Sequence, residues 1–268
     1  MILCLLLLLA GTASASPFVQ SVARQEIFAH GKKAYEKRCA GCHGVSGDGK
    51  TQAARFLNPR PRDFTSGIYK FRSSAIGTLP SDQDLMTTIS RGVLGTSMPG
   101  FPDVPEQERF AIVQYIKSFS KSWESKENFG PLVQGTPLPE EDFRDYKKFI
   151  ARAEKGRKIF IESCVLCHGP QGLGNGEGSA DLVDDWQRPI RPADFSKRFI
   201  KTGKSVTHIY QTLLTGVNGT PMASYKDVYS DDQLWDISAW VLYLRGYHNG
   251  VYDAQNPPLK MISAQELQ

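Results

Sequence analysis

One short pattern is written twice in this chain, as Cys39-Ala40-Gly41-Cys42-His43 and as Cys164-Val165-Leu166-Cys167-His168. Two cysteines three apart, followed at once by histidine, meet the needs of covalent haem attachment. The thiols reach the two vinyl groups and the imidazole comes to lie under the iron. Each copy is therefore expected to carry one haem c, two covalently bound in all. Cys39, Cys42, Cys164 and Cys167 would attach them, and His43 and His168 would ligate iron. A cysteine pair at this spacing also suits zinc or a redox dithiol. A zinc site wants further Cys or His, and outside the motifs only Cys4, His30, His208 and His248 remain.

The motifs sit inside a longer repeat. From Arg24 to Cys39, Ile27, Phe28, Gly31, Ala34 and Tyr35 recur at helical spacing; from Tyr146 to Ser163, Ile150, Ala153, Gly156, Ile159 and Phe160 do the same. In both stretches a glycine precedes an aromatic by four residues, and the aromatic precedes the first motif cysteine by four. A bare helix face of this kind lets another backbone come close. Glycine-rich turns follow each histidine, and then come the matched segments Pro61-Arg62-Asp63-Phe64 and Pro192-Ala193-Asp194-Phe195. Their phenylalanines are read either as aromatics on the haem or as core anchors of a turn. Short helices are expected from Asp82 to Gly92 and from Ser205 to Gly216, and amphipathic closing helices from Glu106 to Phe119 and from Ser230 to Leu244.

Between them lie Gly95-Thr96-Ser97-Met98-Pro99 and Gly219-Thr220-Pro221-Met222-Ala223, placing a methionine 55 residues beyond the first motif histidine and 54 beyond the second. A thioether is a soft, neutral ligand that favours ferrous iron. Met98 and Met222 are accordingly the expected sixth ligands. Met86 faces Tyr210 in the repeat and reads as core.

Helix with glycine and aromatic, CxxCH, methionine loop and aromatic closing helix together resemble class I cytochrome c domains in tandem. The resemblance implies an all-α fold of two cytochrome c-type helical domains with His/Met-ligated iron. The expected layout is a signal peptide over 1–15, domains over 16–122 and 141–250, a linker over 123–140 and an extended tail over 251–268. Met1 to Ala10 is almost wholly aliphatic and Ala13-Ser14-Ala15 offers small residues for cleavage, although no Lys or Arg precedes the apolar run. An uncleaved anchor is the alternative to a cleaved signal. Export to the periplasm follows, with no membrane span after signal removal.

Residues 17–134 carry 16 basic against 11 acidic side chains, net +5, and residues 135–268 carry 16 against 17, net −1. The difference either steers encounter between a donor and an acceptor or is a neutral surface property. Two haems add propionate charge to a net of only +4, so nucleic acid is not an expected partner. Lys32, Lys33, Arg60, Arg62 and Lys70 are read as docking or propionate contacts, or as solvated surface. The expected role is electron transfer between redox protein partners, as a soluble carrier or within a larger respiratory complex. A dihaem peroxidase is the alternative, and a thiosulfate dehydrogenase with a cysteine ligand is disfavoured because no exported cysteine lies outside the motifs.

Overall fold

The structure, a computed structural model, describes residues 17–197, 199–248 and 251–252. The expected signal segment, and the tail after Tyr252, lie outside the described residues. The first unit comprises α1 (Pro17–Arg38), α2 (Ala40–His43), α3 (Asp82–Arg91) and α4 (Glu106–Lys117). The second comprises α5 (Glu140–Arg144), α6 (Tyr146–Ser163), α7 (Val165–His168), α8 (Val206–Thr215) and α9 (Asp231–Leu244). Beyond single-residue bridges, the described strands are two residues each, Tyr247–His248 paired antiparallel with Val251–Tyr252. The fold is all-α, two helical units in tandem, as the resemblance implied.

Local chemistry explains where the helices begin and end. Ser81 and Asp84 form a capping box on α3, and Ser230 and Gln233 form one on α9. Acidic Glu106 and Glu108 occupy the first turn of α4, and Lys117 its last, where the backbone dipole favours each sign.

In both units the first and last long helices cross at the repeated glycine. A Cβ built on Gly31 would stand 2.0 Å from the carbonyl oxygen of Ala111; one on Gly156 would stand 1.9 Å from that of Asp236. No other residue permits so close a backbone contact. Tyr35 and Phe160, one turn on, are both essentially unexposed. Around them the first core gathers Leu85, Met86, Ile89, Ile112 and Val113, and the second gathers Phe149, Leu214, Leu234, Trp235 and Trp240. Met86 and Tyr210 are both buried, as their repeat positions required.

The two units lean on each other through their methionine loops. Gly95 of the first packs against Phe199 of the second, and Gly219 of the second packs against Ile68 of the first. Ile68 and Phe199 stand at the same distance after Phe64 and Phe195, so these contacts are reciprocal. Buried Arg72 donates from Nη2 to the carbonyl of Thr215 at 2.6 Å, and Asn218 accepts from the amide of Gly77 at 2.9 Å. The stretch between the units is pinned to both. The Val133 amide donates to the Ser73 carbonyl at 2.7 Å, while Thr136 accepts at Oγ1 from Trp235 Nε1 at 3.0 Å.

Candidate haem sites

Each motif folds as one helical turn. The His43 amide donates to the carbonyl of Cys39 at 2.9 Å, and the His168 amide to that of Cys164 at 2.9 Å. Residues three and four apart share a helix face, so each turn presents its two thiols and its imidazole together. All four described cysteines are free of disulfides. Burial pushes the Cys39 thiol up to about 11 and the Cys164 thiol up to about 12. That is the reverse of a redox dithiol, whose reactivity needs a stabilised thiolate. Among the described residues no cluster of three or more His, Cys, Asp or Glu is arranged to hold a metal ion.

The imidazoles are held alike. His43 Nδ1 lies 3.0 Å from the carbonyl oxygen of Arg62, and His168 Nδ1 lies 3.3 Å from that of Ala193. With Nδ1 as the donor, each Nε2 keeps its lone pair for a metal, the arrangement by which an outer partner orients a ligating histidine. Burial lowers both pKa values, favouring the neutral ring that ligation requires. Phe64 stacks on His43 with centroids 4.5 Å apart, and Phe195 on His168 at 4.7 Å. Both phenylalanine amides are tied back to the glycine-rich turn, donating to Gly47 at 2.7 Å and to Gly172 at 2.6 Å. The two phenylalanines thus anchor a turn and pack directly on the histidine.

The methionine loops are superposable in their bonds. The Val93 amide donates to the Met98 carbonyl at 3.1 Å, and Thr96 Oγ1 accepts from the Met98 amide at 3.1 Å. In the second unit the Val217 amide donates to Met222 at 2.9 Å, and Thr220 Oγ1 accepts from the Met222 amide at 3.2 Å. Both methionines are half-buried. The two loops hold the methionine backbone in the same way, and Met222 also packs against the second core.

Several buried donors have no hydrogen-bond partner among the described residues, and those near a motif histidine could meet an anionic group. In the first unit these are the hydroxyl of Tyr69, the indole N–H of Trp123, Nη1 of Arg72 and Nε of Arg109. Tyr69 stacks on Phe64 at 6.0 Å and meets Trp123 edge-on at 5.8 Å, so two of the four stand beside the His43 cradle. Haem c carries two propionates, and the residues present fit it.

Comparison with known proteins agrees with this geometry. The family model "Cytochrome c" matches residues 28–120, and "Cytochrome C oxidase, cbb3-type, subunit III" matches residues 151–241. A chain of a reducing HAO-like protein complex from Kuenenia stuttgartiensis superposes with a TM-score of 0.74 at 38% identity, covering 80% of this chain and 95% of that one. The chain belongs to the cytochrome c family. Two such domains stand in tandem, and they imply two covalently bound haem c groups. The cytochrome is also 29% identical to the cbb3-type cytochrome c oxidase subunit FixP of Azorhizobium caulinodans, over 63% of this chain and 46% of that protein. It is 23% identical to a thiosulfate dehydrogenase of Psychrobacter arcticus, over 77% of this chain and 55% of that protein. The cytochrome spans about half the length of the curated relatives it matches.

Sequence reasoning did not single out Tyr69, Trp123 or Trp186. Trp186 had one visible signal: the turn from Gly169 to Pro192 runs 23 residues against 17 from Gly44 to Pro61, and the excess carries a tryptophan. Of the cations read as surface or propionate contacts, Lys32, Lys33 and Arg60 are exposed, whereas Arg62 and Lys70 turn inward.

Proposed function

We propose that Cys39 and Cys42 attach the first haem and Cys164 and Cys167 the second, with His43 and Met98 ligating one iron and His168 and Met222 the other. On this reading the cytochrome is an exported, periplasmic electron carrier, passing electrons between redox protein partners and docking on a larger redox complex. The single observation that carries it is the duplicated cradle: carbonyl-held imidazole, stacked phenylalanine and bonded methionine loop in both units. Haem c bound there supplies one-electron exchange between ferric and ferrous iron. The chain's own part would be to hold each imidazole neutral and aimed, to offer a soft sulfur from the methionine loop, and to pack an aromatic side chain on each imidazole. Were His43 and Met98 to hold one iron and His168 and Met222 the other, no coordination position would be left for a substrate and transfer would run through the haem edges.

Location rests on the habit of cytochrome c domains of being exported. Among the described residues no helix is long and apolar enough to cross a membrane. Docking on a complex is supported by the relatives, one a subunit of a cbb3-type oxidase and one part of an HAO-like complex. Thiosulfate oxidation is a second reading, favoured by the likeness to a thiosulfate dehydrogenase. All four described cysteines lie in the two motifs, which supports carriage over that chemistry.

The test is haem stoichiometry with near-infrared spectra of the oxidised protein. Two haems per chain, both showing the methionine-to-iron charge-transfer band, are expected, and Met98→His and Met222→His should each remove half of it. One haem per chain, a high-spin signal at either iron, or turnover of thiosulfate or peroxide would overturn the reading.

A further inference from the structure

The second unit reaches into the first beside the candidate ligand His43. Residues 183–189 form a tight hairpin, bridged between Val183 and Pro189 and held inside by buried Asp184, whose Oδ1 accepts from the amides of Trp186 at 3.0 Å and Arg188 at 3.1 Å. The hairpin lifts Trp186 across the seam. The Arg62 guanidinium of the first unit lies over its indole, 4.3 Å from the ring centroid. The same indole lies on the Met222 loop, where a Cβ built on Gly219 would stand 3.2 Å from Trp186 Cζ3. The Asp185 amide donates to the Gly219 carbonyl at 3.2 Å, tying the hairpin to that loop.

Arg62 is also the residue whose backbone carbonyl holds His43. Its counterpart in the second unit, Ala193, has no charge to offer. Burial is the largest influence on Arg62, pushing its pKa down to about 10, with Asp184 opposing and Arg188 reinforcing that fall; the guanidinium remains a cation at neutral pH. A cation stacked on indole and partly withdrawn from water is worth more than one in solvent, and the ring beneath it restricts its position.

We propose that Trp186 is a positioning residue for the first haem: supplied by the second unit, it fixes the Arg62 cation beside the His43 cradle and thereby raises the first haem's reduction potential. The sign is electrostatic. A fixed positive charge near the iron disfavours the ferric state, which carries one more positive charge than the ferrous. Because the same indole rests on the Met222 loop, the first potential depends on how the second unit is seated. The inference rests on the assignment of His43 to the first iron.

The experiment is a redox titration of the full-length holoprotein, with both midpoints followed. Arg62→Gln should lower one midpoint, and Trp186→Leu, which fills space without a π face, should lower the same one. The expected fall is three- to tenfold in the reduction equilibrium, tenfold being about 59 mV for one electron. Trp186→Phe should restore most of it, and Trp186→Leu added to Arg62→Gln should lower it no further. Unchanged midpoints in Trp186→Leu, no rescue by phenylalanine, or additive effects in the double variant would overturn the proposal. Met98→His identifies the first haem independently. If it moves a midpoint other than the one Arg62→Gln lowers, the proposal falls; if it moves none, the methionine assignment fails while the Arg62–Trp186 cycle still decides whether the two side chains act as a unit.

Discussion

The two units share one plan and differ in how each clamps its first helix to its last. In the second, Arg152 on α6 reaches three carboxylates at 2.7–2.8 Å: Asp142 before it, and Asp232 and Asp236 on α9. Arg152 is 13% exposed and Asp236 only 5%. In the first, Arg38 on α1 meets Glu108 on α4 at 2.9 Å, with side chains 32% and 20% exposed, and His30 approaches the same carboxylate at 3.8 Å. The glycine crossing is the same in both, so the crossing is what the fold demands and the ion pairs are what each copy has added. A buried cluster cannot be dismantled from one side without stranding a charge, whereas a rim pair can.

Removing the central cation should break the second clamp and spare the first. Arg152→Met leaves Asp236 buried without its partner and should cost about 3 kcal/mol, near the lower end for such a loss because Asp232 is largely in water. Arg38→Met should cost about 0.2–1 kcal/mol. Urea unfolding monitored by haem absorbance reads both; equal costs would mean that burial does not separate the two clamps. The carboxyl of Asp236 is held above its ordinary range, by burial first and against the pull of Arg152.

The crossings themselves should respond alike. Gly31→Ala and Gly156→Ala each force a methyl into a backbone carbonyl about 2 Å away. Alanine's better helix propensity returns at most about 1 kcal/mol, against an overpacking cost of about 1–3 kcal/mol, so a net loss of up to about 2 kcal/mol is expected in each. A loss in one unit only would show that the second crossing can slide.

Much of this was legible because it is written twice. The glycine and aromatic at fixed offsets before CxxCH, and the methionines in matched loops, could be read against each other, and the six long helices lie close to where periodicity and caps put them. α1 is the exception: it is already helical at Pro17, the first described residue and seven before the expected start. What stayed hidden lies where the copies diverge. Arg72, Asn218 and Trp186 act between units, and local pattern carries no information on contacts between residues more than 100 positions apart. The segment expected as a linker was legible as Pro- and Gly-rich, but its bonds to Ser73 and Trp235 depend on how the units sit together.

A single hydroxyl separates the two buried aromatics at the crossings. Tyr35 donates to the Gly44 carbonyl at 2.7 Å, linking the long helix to the turn after His43, and Phe160 has no such bond to give. Tyr35→Phe makes the first unit resemble the second there and should cost about 1 kcal/mol, the usual net worth of one buried hydrogen bond. The same urea titration measures it, and no change would mean that the turn is held by its backbone bonds alone.

The smallest expected effect concerns the caps. Asp84 satisfies its carboxylate within its own unit, accepting from Ser81 N and Oγ, both at 2.8 Å, and from Ser73 N and Oγ at 3.0 and 2.9 Å. Its counterpart His208 bonds Ser205 Oγ through Nδ1 at 2.5 Å and turns Nε2 to Arg91 of the first unit at 2.8 Å. Arg91 can only donate, so Nε2 must be unprotonated for that bond to exist. Burial first, then the charges of Arg91 and Arg245, lower the His208 pKa. The unfolded chain therefore takes the proton before the folded one does, and the stability tied to this bond is complete above about pH 6.5 and fades as pH falls below it. His208→Asp supplies the kind of carboxylate that caps Ser81 in the first unit and removes the titrating imidazole, so the loss of stability between neutral and mildly acidic pH should shrink. If the pH profile of that variant overlays the parent's, the Arg91–His208 contact contributes nothing to seating the units, and the seam is held by Arg72, Asn218 and the reciprocal contacts of the methionine loops.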